Sequence, residues 1–298
     1  STANLNECTM IDNSAAQAGG ALYTYQATTT VNQSVFNGGQ AQTLGGSAYH
    51  RYGSTEYTGG QISGNTAGQG GGLASATGDL ALNDVMVVNN EAGNAAGGLN
   101  VFSGNLTMTG GAVSVNTTSQ FGGIYLYNNS TGQINGSLIT RNSSGTKGSG
   151  ITVANNSSLD IFGCTIAGNG GAGSQGQIYA ELDATIALEA GILAFASDGP
   201  AAGVADPGSS ISLTYSDVFG NAAGDWTGPL AGQELQTCNF SLDPLFCDFD
   251  LGDFHLSSNS PCGPDYNACG TEVGALGEGC AAVSPVQENE LPTHFAVL

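Results

Sequence analysis

The strongest constraint on this chain is a repeat of about 26 residues that persists for more than 200 positions. The apolar residues Leu5, Val31, Tyr57, Leu82, Met108, Ile134, Ile161 and Leu213 are separated by 26, 26, 25, 26, 26, 27 and 52 residues, the last gap being twice 26. Five residues on, Met10, Phe36, Ile62, Val87, Val113, Ile139, Ile166, Ile192 and Val218 form a second column, which fills the missing turn and brings the count to nine repeats. Three residues beyond it comes a column of Asn13, Gly39, Asn65, Asn90, Asn116, Asn142, Asn169, Phe195 and Asn221. A fourth column is mostly glycine: Gly20, Gly46, Gly72, Gly98, Gly123, Gly150, Gln177 and Gly203.

Within each repeat apolar residues alternate, as in Leu80-Ala81-Leu82 and Ile124-Tyr125-Leu126. Period two over short runs broken by Gly, Asn and Ser specifies short strands and excludes helices. Three such strands and their turns use the 26 residues of one coil. The predicted fold is therefore all-β, a parallel β-helix (solenoid) of about nine coils stacked at about 4.8 Å. Asn tolerates left-handed backbone, and its amide can bond the Asn of the next coil, so this column should form a ladder that breaks at Phe195. The glycine column marks a corner that needs either positive φ or close backbone packing. A small inward position runs through Cys8, Ser34, Gly60, Val85, Gly111, Ser137, Cys164, Ala190 and Ser216. Cys8 and Cys164 are then core residues six coils apart, too distant for a disulfide.

Only 3 Lys or Arg stand against 24 Asp or Glu, a formal charge of -21. Such a chain cannot neutralise a run of phosphates or hold an anionic leaflet, so nucleic acid, membrane insertion and polyanionic substrates are poor expectations. No apolar run approaches the roughly 20 residues of a membrane span, and residues 1–20 lack the basic start and apolar stretch of a signal peptide. Three segments are expected: the parallel β-helix over 1–221, a cysteine-rich cap on the last coil over 222–283, and a linker or tail over 284–298. Leu5 opens the first coil after only four residues, so preceding coils or a cap are expected outside this chain. Five of the 7 Cys fall in the cap, which points to disulfides and an oxidising, extracellular or cell-surface setting. The expected pairs are Cys247 with Cys262 and Cys269 with Cys280, leaving Cys238 unassigned.

The C-terminal motifs Ser241-Leu-Asp-Pro-Leu-Phe-Cys247, Gly252-Asp-Phe-His-Leu256, Ser260-Pro-Cys262, Cys269-Gly270 and Gly274-Ala-Leu-Gly-Glu-Gly-Cys280 resemble the closing segment of secreted bacterial right-handed parallel β-helix repeat proteins, which share the pectate-lyase-like solenoid architecture. The tail Leu291-Pro-Thr-His-Phe-Ala-Val-Leu298 is similar to the run that leads into a C-terminal secretion and sorting module in such proteins. The architecture covers the whole chain, but the specific motifs lie only in about the last 60 residues. The resemblance implies export and surface residence. It carries no catalytic motif, because that family is functionally mixed.

The strand after the glycine column holds the candidate binding residues. Leu99, Val101, Ile124, Leu126, Ile151 and Val153 fill the core, which turns Phe102, Tyr125, Tyr127 and Tyr179 outward. His50 is read into the column of Phe102 and Tyr127. Exposed aromatics on a flat sheet can stack on sugar rings, so the first expectation is a non-catalytic structural or adhesive module that binds neutral polysaccharide. Another surface protein, or self-association, is the competing use of the same face. The alternative is a polysaccharide-degrading enzyme, a hydrolase or lyase, with carboxylates drawn from Glu181, Asp183, Glu189, Asp198 and Asp206. The Asn-Thr-Asp, Asp-Asp, Gly-His-Gly and Arg-Ile-Lys blocks of pectin hydrolases are absent, and Arg51 and Arg141 read as solvated surface charge. No cofactor is called for. Asp248, Asp250 and Asp253 are spaced so that calcium is the one cation to consider, with ordinary turn chemistry the simpler account.

Overall fold

Strands that alternate inward apolar and outward polar residues at a fixed period stack in register, and the computed structural model, which describes residues 1–236 and 238–284, is a parallel β-solenoid. Two sheets carry nine strands each, one from Thr2–Asn6 to Ser210–Thr214 and the other from Thr9–Ile11 to Asp217–Phe219. A third sheet has eight strands, from Leu22–Tyr25 to Ala202–Val204, and a fourth is a row of six short strands. Each coil contributes one strand to each long sheet, and every pairing between coils is parallel. The winding continues past the ninth coil, because Phe240 bridges to Asp217 in parallel. Of the expected tail over 284–298, residues 285–298 lie outside the described residues.

The Asn ladder forms. The Nδ2 of Asn65 donates to Asn90 Oδ1 at 2.8 Å, and Asn90 to Asn116, Asn116 to Asn142 and Asn142 to Asn169 follow at 3.0 Å each. Each of these oxygens also accepts the backbone N–H of the preceding Asn, so the buried amides are doubly tied. The left-handed corner is the residue before each ladder position, as at Asn89, Val115 and Arg141, rather than the Asn itself. The glycine column is explained by packing: a Cβ on Gly98 would lie 3.2 Å from Asn116 Nδ2, and one on Gly123 would lie 2.7 Å from Asn142 Cγ. Glycine in one coil thus leaves room for the next coil's Asn.

Coil eight departs from the expected register. Ile161 pairs with Leu188 and Leu188 with Leu213, so one repeat spans 27 residues and the next 25. The inward positions are consequently Leu193 and Gly191, not Ile192 and Ala190. Phe195 takes the left-handed corner, and Ala196 takes the ladder position. The run of Asn-to-Asn bonds does stop at coil eight, because Ala196 there has no amide, but the row of hydrogen bonds continues. Gln177, the exception in the glycine column, fills the space that an Asn in coil eight would have used: it accepts from Asn169 Nδ2 at 2.9 Å and donates to Asn221 Oδ1 at 2.7 Å. Asn221 in turn donates to the carboxylate of Asp225 at 2.7 Å, which ends the row on a group that only accepts.

The cysteine-rich segment acts in two parts. Residues 222–236 and 238–240 seal the solenoid end, with Leu230 buried and Trp226 packed on the core, while Gln233 and Asn239 bond the open edge at Leu213 and Ser216. The chain then turns back along the outside of the second sheet. There Ile192, Ala194 and Phe195 face outward and are covered by Phe246, Phe254, Leu256, Cys262 and Val273. Phe195 packs on Phe249 at 4.8 Å, and the Ala275 N–H donates to Thr165 Oγ1 at 3.0 Å. Arg141 is not a solvated charge, since it donates to the carbonyls of Phe249 and Asp250 and lies over the rings of Phe249 and Phe254.

The disulfides also differ from expectation. Cys238 pairs with Cys269 and Cys247 with Cys280, with Cα separations of 6.0 and 5.8 Å. Cys247 and Cys280 lie on the two strands that flank Asp253–Ser257, so the middle strand brings them together. Cys262 is a buried free thiol directed at the solenoid, 3.5 Å from Asp217 Oδ2, and is out of reach of both bonds. Cys8 and Cys164 are free, as their distant coils require.

Candidate functional site

The third sheet carries two outward columns. Tyr23, Tyr49, Ala74, Asn100, Tyr125, Thr152 and Tyr179 form one, and Tyr25, Arg51, Ala76, Phe102, Tyr127, Ala154 and Glu181 form the other. Outward placement of Phe102, Tyr125, Tyr127 and Tyr179 therefore follows the alternation, but four rings in a row are not all available. Tyr125 is only 9% exposed because it stacks between Phe121 at 4.2 Å and Tyr127 at 4.4 Å. Tyr179 is buried beneath Lys147, which lies over its ring and pairs with Glu181 at 2.7 Å.

His50 does not belong to this face. It pairs with Ser75, which pairs with Val101, and so points into the core. Thr24 Oγ1 and Tyr57 Oη hold its two ring nitrogens at 2.7 and 2.8 Å. Burial pushes the imidazole down to about 3, so it is neutral in the fold. Polar inward residues at Thr24, His50 and Ser75 interrupt the apolar alternation, which is why sequence placed His50 one residue out of phase.

What the sheet does present is a groove of about 570 Å³ over coils two to five. Coil three supplies a floor of small residues, Gly68, Ala74 and Ala76. Arg51 and Tyr52 stand on one side of it above the largely buried Tyr49, and Phe102 and Tyr127 on the other above the buried Asn100. The walls are two rungs apart, about 10 Å. A ring lying midway would be about 5 Å from each, inside the 4.5–7 Å range in which aromatic rings pack. Phe102 and Tyr127 are in contact at 5.0 Å, and Tyr49 rests on Tyr23 at 5.5 Å, so neighbouring coils buttress both walls. Burial raises the Tyr49 and Tyr127 hydroxyls above their ordinary range, so both stay protonated and able to donate. Gln42, Gln69 and Asn94 add amides at the rim. Sequence reading missed Tyr49 and Tyr52. The signal was available, because Leu22-Tyr-Thr-Tyr25 and Ala48-Tyr-His-Arg51 occupy the same strand of coils one and two.

Among the acidic residues of coils seven and eight, the Oδ1 atoms of Asp183 and Asp206 both stand against Gly208, and the Asp183 N–H donates to Asp206 at 3.4 Å. Glu181 is engaged by Lys147, Asp206 accepts the N–H of Leu182 and Ser209, and Asp198 accepts that of Gly171. Glu189 projects from a different sheet. Asp248 accepts the N–H of Leu251, and Asp253 that of His255, as in ordinary turns. Among the described residues no group of three or more His, Cys, Asp or Glu could hold a metal ion. No helix among them is long and apolar enough to cross a membrane. Compared with protein-family models, with curated proteins and with solved structures, the chain matches none.

Proposed function

We propose that the protein is an exported, extracellular or cell-surface module, structural or adhesive and without a catalytic role, that binds polysaccharide through neutral sugar rings seated in the groove of the third sheet. The observation that carries this reading is the small-residue floor between two aromatic walls. Sugar rings have apolar faces and hydroxyl edges, and the groove offers rings for the faces and amides and phenolic hydroxyls for the edges. Two disulfides near the C-terminus support an oxidising compartment, and the likeness of that segment to secreted bacterial β-helix proteins supports export. The experiment is retention on a panel of immobilised neutral and acidic polysaccharides, scored also for released product. Phe102→Ala with Tyr127→Ala should weaken retention about tenfold or more, at about 1 kcal/mol or above per stacked ring, and no product should appear. Undiminished retention of the double variant, or release of soluble sugar by the wild type, would overturn the reading. A change in oligomeric state of the double variant instead would identify the face as a protein interface.

A further inference from the structure

Arg51 is the one groove residue that sugar stacking does not account for. The chain has 3 Lys or Arg in 298 residues. Lys147 is held by Glu181 and Arg141 by the carbonyls of Phe249 and Asp250. Arg51 is exposed, donates to Tyr52 Oη at 3.1 Å and lies 4.7 Å from the Tyr52 ring centre, and no carboxylate among the described residues pairs with it. In a molecule with 24 acidic residues, the one Lys or Arg that among the described residues is held neither by a carboxylate nor by backbone carbonyls stands in the wall of this groove. Stacking on Tyr52 fixes the guanidinium plane and uses one donor, leaving other N–H groups of its fork for a planar anion.

We infer that the groove selects a polysaccharide with isolated acidic units, one sugar carboxylate pairing with Arg51 while an adjoining neutral ring packs between the aromatic walls. The inference rests on the glycan reading above and adds a charge rule to it. One cation can answer one carboxylate. A contiguous polyuronate would hold further carboxylates within the Debye length of about 8 Å, beside a protein of net charge -21, with no cation to meet them.

The test is titration calorimetry of the full chain with three probes: an oligosaccharide alternating glucuronate with a neutral sugar, the same oligosaccharide after reduction of its carboxylates to hydroxymethyl groups, and an oligogalacturonate. The acidic alternating probe should bind about fivefold tighter than its reduced form, as an ion pair at an exposed site allows, and tighter than the oligogalacturonate. Arg51→Gln should bring the acidic and reduced probes to within about twofold of each other, with an unchanged melting temperature as the folding control. Equal wild-type affinity for the two, a preference for the oligogalacturonate, a preference that survives Arg51→Gln, or binding of neither probe by a protein that still retains a neutral polysaccharide overturns the inference and leaves the groove reading standing. Failure to retain any polysaccharide overturns the groove reading and this inference with it.

Discussion

At the scale of single residues, the solenoid shows how two exceptions can be one feature. Gln177 replaces glycine, and Ala196 occupies the position of asparagine, at adjacent levels of the stack, and the Gln177 amide sits where the missing Asn amide would be. A buried amide without its partner costs about 1–3 kcal/mol, so the pair is thermodynamically coupled. Gln177→Gly should destabilise the fold by about 2–3 kcal/mol in urea unfolding, because Asn169 loses an acceptor and Asn221 a donor. Ala196→Asn alone should also destabilise, since its amide and that of Gln177 compete for one space. Together the two substitutions rebuild the ordinary pattern, and the double variant should recover most of the loss. A double variant no more stable than Gln177→Gly would show that the ladder is not continuous through coil eight. The two columns were visible as separate irregularities in the sequence; their connection was not, because the one-residue slip puts apolar Leu193 where apolar Ile192 was expected and so leaves no mark on the pattern.

At the scale of elements, the segment after residue 240 is a lateral shield, and its contact with the solenoid includes a buried carboxylic acid. Asp217 faces outward from the second sheet but is 0% exposed beneath this segment. Its Oδ1 accepts the Leu242 N–H at 3.0 Å, and Cys262 Sγ lies 3.5 Å from Oδ2. Asp225 and Asp243 are the neighbouring acids. Loss of solvent raises the Asp217 carboxyl well above the ordinary carboxylate range, and the two acids push it in the same direction. The sign of the linkage follows: the folded state holds this proton more tightly than the unfolded chain. Its contribution to stability is therefore fully present below the unfolded value of 3.8 and is lost as pH rises from there through the folded value. Asp217→Asn keeps an acceptor for Leu242 and abolishes the ionisation. It should raise the melting temperature at pH 7 and flatten the decline seen between acid and neutral pH, read by calorimetry; an unchanged pH profile would mean that Asp217 does not report the seating of the shield. Spacing alone could not show this arrangement, because Ile192, Phe195 and Asp217 become parts of a covered face only once the chain has folded back over them.

At the scale of the whole molecule, the fold was legible and the site only half so, for the same physical reason. A solenoid repeats one local problem nine times, so errors in any one coil are outvoted by the columns, whereas a groove is made where coils differ from one another. Ala74 and Ala76 form a floor only because Tyr49 and Phe102, on the adjoining rungs, are large. The same contrast between coils governs stability. Each coil rests on its neighbours and little else, so protection should vary along the rod. In coil one Leu5, Met10 and Leu22 are only partly buried, and one face of its strands has no pairing strand in the described chain. Coils six to eight are fully sandwiched, and there Leu138, Ala167 and Ile192 are also covered from outside by a shield closed by two disulfides. Hydrogen exchange followed by mass spectrometry should therefore find the fastest amides in coil one and the slowest in Leu138–Thr140, Thr165–Ala167 and Ile192–Ala194. Thiol reduction should speed exchange in those covered strands more than in Val35–Asn37, which belongs to the same sheet but lies beyond the shield. Uniform protection from the first coil to the ninth, or equal sensitivity of the two regions to reduction, would show that the shield adds nothing to the solenoid beneath it.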